Sequence, residues 1–174
     1  FSEEGVGVGV LKVEVDGEVL IMAKALIEQT MTKACKSEYA IVDEFKGKKL
    51  EDLKYTNPLE DWVPDANQIA KKGWRVVASE QFVVLTEGTG IVHTAPGHGE
   101  EDFKVGKENG LPIVCFIGLD GKYTEGKLKG QSAKEGNQII IEELENRGAL
   151  LSSDKISHEY PTCWRCETSL LFMA

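Results

Sequence analysis

Two of the chain's three histidines, four glycines and three consecutive carboxylates fall within sixteen residues, Gly88-Thr89-Gly90-Ile91-Val92-His93-Thr94-Ala95-Pro96-Gly97-His98-Gly99-Glu100-Glu101-Asp102-Phe103. Glu100, Glu101 and Asp102 follow Gly99 where the pattern changes from strand-like to helix-like, which puts all three in the first turn of a helix. The helix macrodipole favours negative charge there by roughly 0.3–1 kcal/mol per group, so helix stabilisation alone is one reading of the triplet. A glycine-preceded helix N-terminus often holds phosphate, but three carboxylates repel an anion. The site prefers a cation, and a carboxylate turned inward would take an ammonium group, such as the free α-amino group of an aminoacyl ester. Asp102 is the candidate, because Phe103 is the first large apolar residue of the helix and marks its buried edge.

His93 stands in a strand-like run in which it shares a face with Ile91, while Val92 shares the other face with Thr94 and Pro96 ends the pairing. Two readings stay open, a satisfied structural histidine and a residue of a functional site. Gly88, Gly90, Gly97 and Gly99 serve turns and bulges, or let backbone approach a substrate closely. No nucleophile is paired with a base: there is no Gly-x-Ser-x-Gly, and no cysteine lies beside a histidine. As a metal site, His93, His98 and Asp102 have an unfamiliar spacing interrupted by Pro96 and two glycines. Cys163-x-x-Cys166 with His158 makes half of a zinc ribbon at most, since a structural site takes four ligands and no second pair is evident. No metal and no cofactor is expected.

The elements that would position these residues are mostly strands. Val6 to Val15 alternates with the period of a half-buried strand, Asp16-Gly17 reads as a hairpin turn, and Glu18 to Met22 returns. Ala23 to Ala34 spaces Leu26, Ile27, Thr30 and Met31 at helical intervals and packs on that hairpin. Further strands are expected around Tyr39 to Phe45, Leu50 to Tyr55, Gly73 to Leu85, Gly88 to Thr94 and Leu111 to Gly118, with an irregular loop carrying Trp62 between Asn57-Pro58 and Val63-Pro64. Helices are expected at Gly99 to Asn109, capped by Gly110, and at Asn137 to Arg147, ended by Gly148. Many strands, three short helices and no regular βαβ alternation point to a mixed α/β fold with a β-barrel-like core and short helices packed outside.

The 174 residues suffice for one sizeable core, so a single domain over 1–174 is expected. No apolar run approaches the roughly 20 residues of a membrane span. Four scattered cysteines fit a reducing, cytoplasmic setting better than a secreted disulfide scaffold. The net charge of −9 argues against indiscriminate nucleic-acid binding, yet Phe103 to Lys134 holds six lysines against Glu108, Asp120 and Glu125. Such a stretch is a solvated face or a guide for one particular nucleic-acid end. A start at Phe1 with no signal pattern, and an end on Leu170-Leu171-Phe172-Met173-Ala174, suggest a piece excised from a larger protein.

The run from Gly88 to Pro96, with Gly99 and Asp102-Phe103 after it, resembles the editing-site signature of class I isoleucyl-tRNA synthetases. A second motif, His158-Glu159-Tyr160-Pro161-Thr162-Cys163-Trp164-Arg165-Cys166 followed by Leu170-Leu171-Phe172, resembles the segment where the inserted editing (CP1) domain of those enzymes returns to the catalytic body. Gly110-Leu111-Pro112 and Lys129-Gly130 also fall where that family has them, so the resemblance runs from about Leu20 onward. The related valyl and leucyl enzymes lack a histidine at the position of His93. The resemblance implies a hydrolase that removes valine from the isoleucine tRNA, and valine from its adenylate, in a pocket that excludes isoleucine by size. The isoleucyl enzyme is itself the standard example of why such a pocket is needed: one methylene is worth only about 1–3 kcal/mol, so a synthetic site cannot reject valine well enough.

By the same resemblance Asp102 and His93 are the catalytic residues, Asp102 holding the α-ammonium and His93 shaping the side-chain pocket. Thr89 and the backbone around Gly90 line the ester, and Gly88, Thr94, Pro96 and Gly99 complete the substrate contacts. The implied partners are the 3′ acceptor end of the isoleucine tRNA, the valyl moiety and the remainder of an ATP-using synthetase, with no membrane. An aminoacyl ester is already reactive, so positioning a water and the terminal adenosine suffices. Two departures stand out. The family's threonine-rich strand precedes the region matching Val6 to Val15 and is not found in this sequence, and Met173 stands where an arginine commonly follows the apolar run. The first favours a rival reading, a non-catalytic module that docks the tRNA acceptor end.

Overall fold

The computed structural model describes residues 9–34, 36, 38–79, 82, 83, 85, 86, 88–155, 160–167 and 169–173. Val6 to Val8 of the expected first strand, Cys35, His158 and Glu159, and Glu80, Gln81 and Val84 of the expected Gly73 to Leu85 strands lie outside the described residues. The chain divides into two compact units, Phe1–Tyr55 with Arg75–Thr94, and Thr56–Trp74 with Ala95–Ala174.

The first unit is built on a hairpin of β1 (Gly9–Val15) and β2 (Glu18–Ala23), to which β3 (Ala40–Lys46) adds on the far side of β1. Both pairings are antiparallel, with Val13 opposite Leu20 and Leu11 opposite Met22 in the hairpin. Asp16 and Gly17 take positive φ (52° and 83°), the two-residue turn whose twist matches the flanking strands. Between Lys12 and Val13 the register to β3 shifts, from Lys12 opposite Asp43 to Val13 opposite Ile41, so Val42 is bulged out.

Alternation along β1 gives the sheet two covered faces. Leu11, Val13 and Val15 join Met22 and Met31 in one buried cluster, with Leu20 and Ile27 against it. Met31 and Ile27 come from α1 (Ile27–Lys33), which follows a 3₁₀ turn at Lys24–Leu26, so this helix packs on the hairpin as its spacing predicts. On the other face Val10 packs with Leu50, Ile21, Phe45 and Val76. After β3, Gly47–Leu50 is a 3₁₀ turn that buries Leu50.

The fold is mixed α/β, but the described residues do not support a barrel. The one sheet among them has three strands in the order β2-β1-β3 and does not close. Among the described residues, Leu50 to Tyr55 and Gly73 to Leu85 contribute only the Lys54–Arg75 bridge, and Leu111 to Gly118 only the Ile117–Tyr123 bridge. Gly88 to Thr94 forms no strand, because Gly88 and Gly90 adopt φ of 72° and 75°, outside the extended region that a ladder requires. Residues that sequence marks as strand formers are here extended or turn segments, consistent with β-propensity reporting a fit to a sheet surface more than a backbone preference.

The second unit holds α2 (Ala66–Ala70), α3 (Glu100–Glu108) and α4 (Ala133–Asn146). The Trp62 loop contains a 3₁₀ turn at Glu60–Trp62 and then the short α2, neither of which the sequence reading anticipated. The helix expected at Asn137 starts four residues earlier. Ser132 accepts from the Glu135 N–H while the Glu135 carboxylate accepts from the Ser132 N–H, a capping box that sets the true start. Its other end is braced by Arg147, which donates to both Asp61 oxygens at 2.7 and 3.0 Å, to the Pro58 carbonyl and to Glu143, with its guanidinium over the Trp62 ring. No helix among the described residues is long and apolar enough to cross a membrane.

Candidate functional site

The chemistry-bearing stretch divides between the two units at Thr94, and each half has its own support. In the first unit, Gly88 to Gly90 forms a tight turn lying against the middle of α1 and the end of β2. Thr30 Oγ1 donates to the Gly88 carbonyl at 2.9 Å, and the Ala23 N–H donates to the Thr89 carbonyl at 2.8 Å. Gly90 is buried, and a Cβ built there would lie 2.5 Å from Ala23 Cβ, so no larger residue fits without displacing β2. The Thr89 hydroxyl folds back to donate to the Ile91 carbonyl at 3.2 Å.

His93 follows in irregular, exposed backbone, with Ile91 and Val92 exposed beside it and Thr94 half-buried. The expected strand faces, Ile91 with His93 and Val92 with Thr94, therefore do not form. The reason is local: the two positive-φ glycines just before them turn the chain out of ladder geometry, and no neighbouring strand is paired with them among the described residues.

In the second unit, α3 begins at Glu100 with Gly99 as its cap residue, and Glu100, Glu101 and Asp102 fill the first turn as the sequence implied. Gly99 has no side chain to cap the helix, and Asp102 reaches back instead: its Oδ2 accepts from the Ala95 N–H at 3.2 Å. Of the three carboxylates, Glu100 and Glu101 are exposed and Asp102 is half-buried. Among the described residues Asp102 Oδ1 has no hydrogen-bond partner, which leaves acceptor capacity on a carboxylate already fixed in place. Two glycines set the path of this loop. A Cβ at Gly97 would lie 2.0 Å from the Val114 carbonyl oxygen, and one at Gly106, on α3, 2.7 Å from the Pro96 ring. At its far end α3 closes on Gly110, φ 64°, whose N–H donates to the Lys107 carbonyl while the Leu111 N–H donates to that of Gly106.

The structure thus brings Gly88, Thr89 and Gly90 together on one support, and Pro96, Gly99 and Asp102 together on another. His98 is not turned toward a metal cluster; its Nδ1 lies 3.3 Å from the Phe172 carbonyl oxygen. Among the described residues no three of His, Cys, Asp and Glu come together as ligands. Cys163 and Cys166 flank a turn in which the Glu167 N–H donates to the Cys163 carbonyl, below the Thr162–Ser169 bridge. Sequence reasoning missed Ala23 and Thr30 as supports of the glycine turn. Thr30 left one signal: a hydroxyl at an apolar position of the helix, between Leu26, Ile27 and Met31.

Against known proteins, the chain is homologous to a segment of aminoacyl-tRNA synthetases. The relatives are isoleucine–tRNA ligases. That of Pyrococcus abyssi is 48% identical over 170 residues, which are 94% of this chain and 16% of the enzyme. Those of Methanocaldococcus jannaschii and Saccharolobus islandicus are 47% and 43% identical over 162 and 164 residues, covering 90% and 93% of this chain and 16% of each enzyme. The chain therefore spans about one sixth of the length of the curated relatives it matches. No family model matches it.

Proposed function

We propose that this chain is the editing segment of an isoleucine–tRNA ligase and that it hydrolyses the ester of valyl-tRNA carrying the isoleucine identity, with valyl-adenylate as a second substrate. The observation that carries the reading is Asp102. It is the one half-buried carboxylate of three at a helix N-terminus, held by the Ala95 N–H with its other oxygen unoccupied among the described residues. Three adjacent acids make that end of the helix attractive to an ammonium and repulsive to a phosphate. A charge-assisted hydrogen bond from the substrate's α-ammonium to Asp102 fixes the ester in place. The same reading assigns Thr89 and the Gly90 backbone to the ester, His93 to the side-chain pocket and Gly88 and Thr94 to flanking contacts on the first unit, and Pro96 and Gly99 to flanking contacts on the second. The similarity to isoleucine–tRNA ligases supports the same reading. In that reading the partners are the acceptor end of the tRNA and the rest of an ATP-using ligase, and the setting is cytoplasmic.

In this mechanism the protein orients a water toward an ester that is already reactive, so catalysis is mainly positional. The test is deacylation of valyl-tRNA by the full-length ligase and by its Asp102→Ala form. The expected result is a loss on the order of a hundredfold, the scale on which a displaced positioning group acts. An Asp102→Ala enzyme that deacylates as fast as its parent overturns the assignment. A parent that binds the tRNA and does not deacylate it makes the segment a docking module instead.

A further inference from the structure

One hydroxyl links the Gly88 end of the turn proposed to line the ester to the hydrophobic core. At 7% exposure Thr30 is the one polar side chain buried among the described residues, and it lies in α1 next to the core residue Met31. A valine has nearly the same shape and needs no partner, whereas a buried hydroxyl is costly unless it is hydrogen-bonded. Thr30 Oγ1 meets that need with the Gly88 carbonyl, 58 residues away in sequence. The next two residues of the turn are fixed separately, Thr89 by the Ala23 N–H and Gly90 by its close approach to Ala23. Gly88 has no such packing. It is exposed, and nothing lies within 4 Å of the place its Cβ would occupy. Docking of the turn thus does not require the Thr30 bond; the orientation of the Gly88 peptide does.

We propose that Thr30 is a positioning residue for deacylation, setting the Gly88 peptide so that the glycine turn presents a fixed wall to the aminoacyl ester. This inference rests on the reading that the turn lines that ester. Thr30 is buried and offers the tRNA no contact of its own, so its loss leaves tRNA affinity intact and lowers the fraction of bound ester in a reactive geometry. The effect should therefore appear in kcat and not in KM.

The experiment compares Thr30→Val, Thr30→Ser and Thr32→Val in the full-length ligase, with valyl-tRNA deacylation as readout. Thr32 is the control, an exposed neighbour whose hydroxyl donates to the Glu28 carbonyl within α1. Thr30→Val should lower kcat on the order of tenfold with KM within about twofold, Thr30→Ser should return to within about twofold of the parent, and Thr32→Val should match it. Isoleucylation by the same preparations reports on folding, and if Thr30→Val loses it, Thr30→Ala takes its place with the same expectation. Unchanged kcat in the hydroxyl-free variant, or no rescue by serine, overturns the inference. If Asp102→Ala is slow while Thr30→Val is as fast as the parent, this inference alone falls. If Asp102→Ala is also as fast as the parent, the underlying reading falls and takes the inference with it.

Discussion

At the scale of single residues, the glycines of the turn separate two costs that are usually confounded. Gly88 and Gly90 both take positive φ, at 72° and 75°, so an alanine at either meets the left-handed penalty of about 1–2 kcal/mol. Only Gly90 also meets a neighbour, with Ala23 Cβ 2.5 Å from the new methyl, while the space at Gly88 is open. Overpacking of that kind adds about 1–3 kcal/mol. Urea unfolding should therefore rank Gly90→Ala as clearly less stable than Gly88→Ala, and both as less stable than the parent. Equal midpoints for the two variants would mean that β2 yields to the methyl and that Gly90 is not pinned against Ala23. The same contrast explains what a glycine-rich motif conceals: sequence marks both positions alike, and only the neighbour 67 residues upstream, Ala23, tells them apart.

At the scale of elements, α4 is the longest helix among the described residues and the one with the clearest dependence on pH. The Arg147 guanidinium hydrogen-bonded to Asp61 holds that carboxyl below the usual carboxylate range. Hydrogen bonds from Ser132 do the same for Glu135 at the other end of the helix. A carboxyl whose folded value is lowered stabilises the fold above its unfolded value, and that contribution is lost as pH falls through the folded value. Thermal melts should accordingly weaken between about pH 5 and pH 3, and Asp61→Asn should flatten that part of the profile while lowering stability at neutral pH. A profile unchanged by Asp61→Asn would show that Arg147 does not hold the Pro58–Trp62 loop through Asp61. Removing the cap hydroxyl with Ser132→Ala should cost about 1 kcal/mol at any pH above the acid range.

These elements also show where sequence was sufficient. The hairpin turn at Asp16-Gly17, the amphipathic spacing of α1, the acidic start of α3 and the glycine stops at Gly110 and Gly148 are all local signals, and all appear in place. Of the runs expected to extend after Gly73, 88–94 and 111–118 join no sheet among the described residues, because strand formation depends on a partner, which no local pattern supplies. At the candidate site, the half-burial of Asp102 was legible from Phe103 beside it. The exposure of His93 was not, since it follows from backbone torsions set at Gly88 and Gly90.

At the scale of the whole molecule, burial is unevenly shared between the two units. Leu11, Met22, Leu26, Met31, Val10 and Val13 are the largest side chains fully withdrawn from water, and all belong to the hairpin and the turns of α1 beside it. In the second unit the deepest apolar side chains are Val105 at 5%, Ile117 and Leu128 at 8%, and Trp74 at 9%. Its surface carries the lysine-rich stretch, and all six lysines from Lys104 to Lys134 are exposed. Opening free energy follows buried apolar contact and ladder hydrogen bonding, so β1, paired on both sides, should hold the slowest-exchanging amides. Amides in the irregular 111–130 region, held by isolated bridges and turn hydrogen bonds, should exchange faster. Leu11→Ala should cost about 3 kcal/mol and speed exchange throughout β1, β2 and β3, because it empties the centre of the cluster that α1 covers. If β1 amides exchange no more slowly than those of 111–130, the hairpin core is not the stable frame of this chain. The glycine turn would then be docked on a support as mobile as itself, and a fixed wall at Gly88 would lose its physical basis.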